Sequence, residues 1–228
     1  MHFSSVLRSV AIFEATKGAL VLLVFLVFVP IAILFRIPIK RFIVAVREPA
    51  LIAFSTTSSE AALPRAMQAM EAFGVPRRIV AFVMPTGYSF NLDGSTLYLA
   101  VASMFVAQAA GVPLSFGQQL LMMLTLMLTS KGVAAVPRAS LVILAGTLHT
   151  FGLPLEGVAI ILGVDELMDM ARTSVNLVGN CLATVVMARW EGEFGAPQPE
   201  GLPSQGGLLP SEAVPPGPRT SGAVPSAS

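Results

Sequence analysis

Residues 165–180, DELMDMARTSVNLVGN, hold Asp165, Asp169, Arg172, Thr173, Asn176 and Asn180. Wound as an α-helix at about 100° per residue, these six fall within an arc of about 100° and share one stripe. Their types suit the recognition of a charged small molecule. Arg172 offers a planar, permanently charged fork for a carboxylate, Asp169 an acceptor for an ammonium group, and Thr173 and Asn176 neutral hydrogen bonds. One cation and one anion a helical turn apart fit a zwitterion that carries an additional carboxylate. The alternative is an internal Asp169–Arg172 ion pair at i, i+3 that only cements helices, which uses two of the six residues.

A second stretch, PTGYSFNLDGSTLYLAVASMF (residues 85–105), has the length and apolar ending of a membrane-spanning helix, yet carries Asn91, Asp93 and two glycines. Each ionised group at mid-membrane costs on the order of 3 kcal/mol, so such residues are tolerated only where they face protein, water or ligand. A span unwound around Gly87 to Gly94 would free backbone carbonyls, and Asp93 would add fixed negative charge for a hard cation. His2 and His149 are isolated in sequence, without metal-ligand partners at useful spacing, and the glycines of PTGYSFNLDG do not follow a strand as a phosphate loop requires. No catalytic constellation is present and no enzyme is expected.

The composition says what must position these residues. The chain has 228 residues, 54% hydrophobic and 12% charged, with mean hydropathy +0.77, whereas soluble domains carry about 25% charge. This pattern predicts an all-α integral membrane protein. With a net charge of +1, nothing suggests a nucleic-acid partner, and the single cysteine, Cys181, excludes an intramolecular disulfide. GALVLLVFLVFVPIAILF (18–35) is a full span of about 27 Å, residues 79–110 form a second, and residues 155–189 a third that is apolar only in patches. Between them lie two interrupted pairs. The first has apolar pieces around STTSSE (55–60); the second has QQLLMMLTLML and ASLVILAGTL around TSKGVAAVPR. Each reads as two half-length helices with a small-residue tip, a re-entrant hairpin. Residues 195–228 are rich in Pro, Gly and Ser and are expected to be a disordered cytoplasmic tail.

Orientation follows the basic residues. Arg36, Lys40, Arg41 and Arg47 follow the first span, Arg65, Arg77 and Arg78 precede the second, and Arg189 follows the third. On a path of span, hairpin, span, hairpin, span they all lie on one side, which the positive-inside rule makes cytoplasmic. The two hairpins then enter from opposite faces with tips near the midplane, a pointer to a secondary-transporter binding site.

The motifs STTSSEAALP, PTGYSFNLDGSTLY, SKGVAAVP and DELMDMARTSVNLVGN, in this order, give the chain a resemblance to the C-terminal half of the dicarboxylate/amino acid:cation symporter family, the glutamate/aspartate transporters. Their wording is nearest to bacterial proton/sodium-glutamate symporters. The resemblance covers about residues 18–194 and implies a transport domain of three transmembrane helices plus two oppositely oriented hairpins, moving as an elevator against a trimeric scaffold. Residues 1–17 are then the remnant of a preceding helix, and the chain a fragment of a longer transporter. By the same resemblance, Arg172 corresponds to the ligand of the substrate's side-chain carboxylate and Asp169 to the amino-group ligand. Thr173, Asn176 and Ser95 correspond to further substrate contacts, Ser58 and Ser59 to the first tip, and Val136 and Pro137 to the second. Gly87, Asn91, Asn176 and Asn180 match one sodium site, and Asn91 and Asp93 belong to another.

Two departures bear on coupling. Asn180 stands where sodium-coupled members commonly have Asp, removing a full charge, and Glu60 in the first tip is a candidate proton carrier should the fold bury it, or else a solvated carboxylate. The expectation is symport of glutamate or aspartate with sodium and/or protons and no organic cofactor, in a multi-pass protein of the inner (plasma) membrane, homotrimeric at full length. The alternatives are a C4-dicarboxylate symporter of the same family, a channel-like or substrate-sensing protein on the same fold, and an inactive membrane fragment.

Overall fold

The computed structural model describes residues 2–132 and 139–195, and every regular element among them is helical. Helix α1 (His2–Leu23) passes through one π-helical turn (Val24–Phe28) into α2 (Val29–Leu34). The turn has a local cause: Pro30 lacks an N–H to donate into the preceding turn and its ring crowds the carbonyl there, so the ladder widens just before it. Because α1 already begins at His2, residues 2–17 and the apolar run share one helix.

Two antiparallel helices follow, α3 (Ile39–Thr56) and α4 (Ser59–Phe73), joined by Thr57 and Ser58. They approach closely because their facing positions are small: Ala53, Ala62 and Ala66 have no exposed surface. In lipid, where burial of apolar area gives no advantage between helices, such close packing is what holds a pair together. Next come α5 (Arg77–Phe90), α6 (Asp93–Ala109) and α7 (Phe116–Thr129), then a 3-10 turn (Ser130–Gly132), α8 (Ala139–Thr150) and α9 (Glu156–Trp190). Helix α7 opens on a reciprocal capping box between Ser115 and Gln118, the expected device for its orphan N–H groups. Val136 and Pro137 lie outside the described residues, as does the tail beyond Gly195.

Among the described residues, two helical stretches are long and apolar enough to cross a membrane, Leu7–Leu34 and Arg77–Ala109. Helix α9 is long enough at 35 residues, but its polar stripe removes it from that purely apolar class. It is instead the spine of the fold. Its N-terminal half joins a core with Ile12 of α1, Tyr98, Leu99 and Ala102 of α6, and Leu126 and Leu144 of α7 and α8. Its C-terminal half, Leu177 to Ala188, joins a second core with α2, α3, α4 and α5. Asp169, Arg172, Thr173 and Asn176 lie between the two, at a polar waist.

Of the basic residues expected on one side, Arg36, Arg78 and Arg189 lie against the end of α9 and the residues after it. Arg189 Nη2 donates to the Arg36 carbonyl (3.2 Å), Arg78 pairs with Glu193, and the Gly195 N–H donates to the Gly74 carbonyl (2.8 Å).

Candidate functional site

The span expected to unwind from Gly87 to Gly94 breaks over a shorter stretch. Helix α5 continues through Gly87 to Phe90, and only Asn91 and Leu92 leave the helical region. The cause is a contact from α9. The Gly94 N–H, which would continue the ladder to Phe90, donates instead to Asn176 Oδ1 (2.8 Å), and the Ser95 N–H donates to the same oxygen (3.3 Å). Asn176 Nδ2 donates to Ser95 Oγ (2.9 Å). Leu92 provides no side-chain cap, so Asn176 caps α6 from a neighbouring helix and satisfies orphan donors of its first turn. Gly94 is required for this approach: a Cβ there would lie 2.9 Å from the Arg172 carbonyl and 3.2 Å from Asn176 Oδ1.

One turn of α9 away, Arg172 is 1% exposed. Its Nε donates to Asp169 Oδ1 (3.0 Å) and its Nη1 to Asp165 Oδ1 (3.2 Å). Its guanidinium carbon stands 4.2 Å from the centre of the Tyr98 ring, and the Tyr98 hydroxyl donates to the same Asp165 oxygen (2.8 Å). The i, i+3 ion pair of the cementing alternative therefore exists. It is embedded in a larger cluster, in which one guanidinium serves two carboxylates and a ring face, an arrangement for which arginine is suited and lysine is not. Thr173 Oγ1 also donates to Asp169 Oδ1 (3.3 Å), so both contacts fall on one Asp169 oxygen and neither uses Oδ2. Asp165 Oδ2 is buried with no hydrogen-bond partner among the described residues.

A second group of polar residues lies where the break meets the first hairpin. Asn91, in the amide orientation that satisfies its neighbours, donates to the Asp93 carboxylate (2.9 and 3.0 Å) and accepts from the Asn180 N–H (3.2 Å). Asn180 Nδ2 donates to the Met84 carbonyl (2.8 Å), while its Oδ1 is buried and without a partner among the described residues. That side chain occupies the space a Cβ on Gly87 would need. Asn91, Asn176 and Asn180 line a void of about 10 Å³ together with Ser59 and Tyr88, close to the smallest space that holds one water. An unpaired amide oxygen beside Asn91 and Asp93 is the donor chemistry of a hard cation, and Gly87, Asn91, Asp93, Asn176 and Asn180 are thus brought together.

The first tip divides. Thr57 adopts a left-handed backbone (φ 50°), unusual for a β-branched residue and a mark of a constrained tip. Ser58 Oγ accepts from the Ala61 N–H (3.2 Å) as the N-cap of α4, whereas Ser59 reaches the void beside Asn180. Glu60 is exposed in the first turn of α4. The burial on which a proton-carrying role depends is absent in this structure, and its place suits a carboxylate facing a helix N-terminus.

Tyr98 was not singled out in the sequence, although it lies four residues after Gly94 and so on the same face of α6. Nor was Lys131, whose Nζ donates to the Phe90 carbonyl (2.6 Å).

The regular elements among the described residues are all helical, with two membrane-length stretches and an ionic waist between two apolar cores, an arrangement consistent with a helical membrane protein built around a polar site. The model of the sodium:dicarboxylate symporter family matches residues 3–190, and the chain belongs to that family. It is 50% identical over 177 residues to the proton/sodium-glutamate symport protein of Geobacillus stearothermophilus, covering 78% of this chain and 42% of the relative. It is 55% identical over 148 residues to the proton/glutamate-aspartate symporter of Escherichia coli (strain K12), covering 65% and 34%. To the C4-dicarboxylate transport protein of Agrobacterium fabrum (strain C58 / ATCC 33970) it is 49% identical over 154 residues, covering 67% and 34%. The chain spans less than half the length of the curated relatives it matches.

Proposed function

We propose that this chain forms the substrate-binding half of a symporter that carries glutamate or aspartate together with sodium and/or protons. The observation that carries the reading is the pairing of Asp169 with Arg172 at the polar waist, with Thr173, Asn176 and Ser95 alongside. An entering amino acid places its distal carboxylate on the Arg172 fork, displacing an intramolecular carboxylate, and its ammonium on the unused oxygen of Asp169. Because the first step swaps one charge-assisted hydrogen bond for another and the second adds one, the ionic groups stay compensated throughout.

Asn91, Asp93 and Asn180 hold the co-transported cation, and Ser58 and Ser59 serve the substrate from the first tip, the role that the resemblance gives to Val136 and Pro137 at the second. The hairpins and the last two spans form the moving body of an elevator, inside a homotrimer of the full-length transporter in the inner (plasma) membrane, with the C-terminus cytoplasmic. The family match and the glutamate-symporting relatives support this reading. The C4-dicarboxylate relative favours a second one, in which the substrate has no ammonium group. Asp169 opposes it, since a dicarboxylate meets a like charge there.

Equilibrium binding of aspartate and succinate to the purified chain in detergent, with sodium present, separates the two. Aspartate is expected to bind more tightly, and Asp169→Ser to shift preference toward succinate. Tighter binding of succinate by the unmodified chain would replace the first reading by the second, and binding of neither would leave an inactive fragment.

A further inference from the structure

Helices α3 and α4 touch through alanines toward their tip, but at their base Phe42 and Phe73 meet edge to face, with ring centres 5.9 Å apart. Beside that pair opens a cavity of about 670 Å³, within the size range of small-molecule sites. Val44, Ala69 and Phe73 give it apolar walls, and its polar lining is Lys40, Arg41, Glu48, Arg65 and Gln68. Glu48 is already neutralised. Arg65 donates to both its oxygens, from Nε to Oε1 (2.8 Å) and from Nη2 to Oε2 (2.9 Å), and its Nη1 donates to Gln68 Oε1 (3.0 Å).

That leaves Lys40 and Arg41, which make no hydrogen bond or ion pair among the described residues. Both are exposed in the first turn of α3, where no acidic residue offsets them and where the helix dipole disfavours a cation. They stand about 12 Å along α3 from Glu48, so two unpaired positive charges mark one end of the cavity and the Arg65–Glu48 pair the other. A soluble anion would use the charges and leave the walls bare. A neutral lipid would use the walls and leave the charges. An anionic phospholipid uses both, as basic pockets between membrane helices do at the cytoplasmic leaflet, where the positive-inside pattern puts this end of the chain.

We propose that the cavity at the base of the first hairpin binds one anionic phospholipid, its phosphate on Lys40 and Arg41 and an acyl chain along Val44 and Ala69. A lipid held there anchors the base of the hairpin at the headgroup level. Asp169, Arg172 and the other groups of the polar waist do not line this cavity, so the proposal holds whichever substrate the waist takes.

A cysteine on the wall reads occupancy. In the full chain with Ala69→Cys, purified in a neutral detergent, the native Cys181 is fully buried and silent toward N-ethylmaleimide. Phosphatidylglycerol at several times its dissociation constant is expected to slow labelling by about fivefold or more, and phosphatidylcholine and soluble glycerol phosphate by less than about twofold. Adding Lys40→Gln with Arg41→Gln is expected to raise the half-protecting concentration of phosphatidylglycerol by about tenfold or more, the worth of two charges beside an anionic headgroup. Lys40→Arg with Arg41→Lys should leave it unchanged, and helical circular dichroism serves as the folding control. Should Ala69→Cys not fold, Ala72→Cys on the same lining takes its place. A cysteine at Phe116, 80% exposed and outside the cavity, is expected to show no protection. Equal protection by phosphatidylcholine, protection by glycerol phosphate alone, no protection by phosphatidylglycerol, equal slowing at Phe116→Cys, or an unshifted titration in the double glutamine variant would each overturn the proposal.

Discussion

Arg172→Ala removes a guanidinium that compensates the buried Asp165 and the partly buried Asp169 carboxylates, and the structure gives the size of the effect. Breaking a buried pair by removing one partner costs about 3–5 kcal/mol, and losing the stacking over Tyr98, 4.2 Å away, adds about 0.5–2 kcal/mol. The single variant should therefore lose about 3.5–7 kcal/mol. Most of that penalty comes from stranding Asp165, 2% exposed, and Asp169. Asp165→Asn should then change sign with its background. Alone it weakens the cluster and destabilises; added to Arg172→Ala it removes a stranded charge and recovers about 1–3 kcal/mol. The Tyr98 hydroxyl can still donate to the amide oxygen in both cases. Denaturant titrations of the four proteins in mixed micelles, followed by helical circular dichroism, give the coupling energy. Additivity within about 0.5 kcal/mol would refute the claim that one guanidinium holds both carboxylates.

Gly94→Ala drives a methyl group against the Arg172 backbone and should destabilise by about 1–3 kcal/mol, read in the same titration; a neutral effect would show that α6 does not need its close approach to α9. Asn180→Asp restores a carboxylate beside Asn91 and Asp93, and sodium titration of substrate binding is expected to show at least about tenfold higher sodium affinity, as one added charge partner warrants. Glu60→Gln, at an exposed helix N-terminus, is expected to leave the response of substrate uptake to an imposed pH gradient unchanged; loss of that response would return Glu60 to the coupling mechanism.

Much of this protein was legible in the linear chain, for reasons of period and composition. A helix repeats every 3.6 residues whatever surrounds it, so Asp165 to Asn180 had to share a stripe once that segment was helical, and its three ionic residues had to face something other than lipid. The interrupted apolar pairs announced two helical hairpins, and the first is present between α3 and α4. The partners of those residues were another matter. Asn176 caps α6 across 82 residues of sequence, Tyr98 lies against Arg172, and Lys131 reaches Phe90 across 41. None of these contacts has a period or a spacing, because each depends on how two helices are set against one another, and that is decided by packing. The extent of the break shows the same division. Two glycines and an asparagine said that the span would open; the competition between Phe90 and Asn176 for one N–H confined the opening to Asn91 and Leu92. Sequence alone determined which faces must be polar. Only tertiary structure decided which polar groups meet, because a hydrogen bond across a helix interface requires two surfaces already in place.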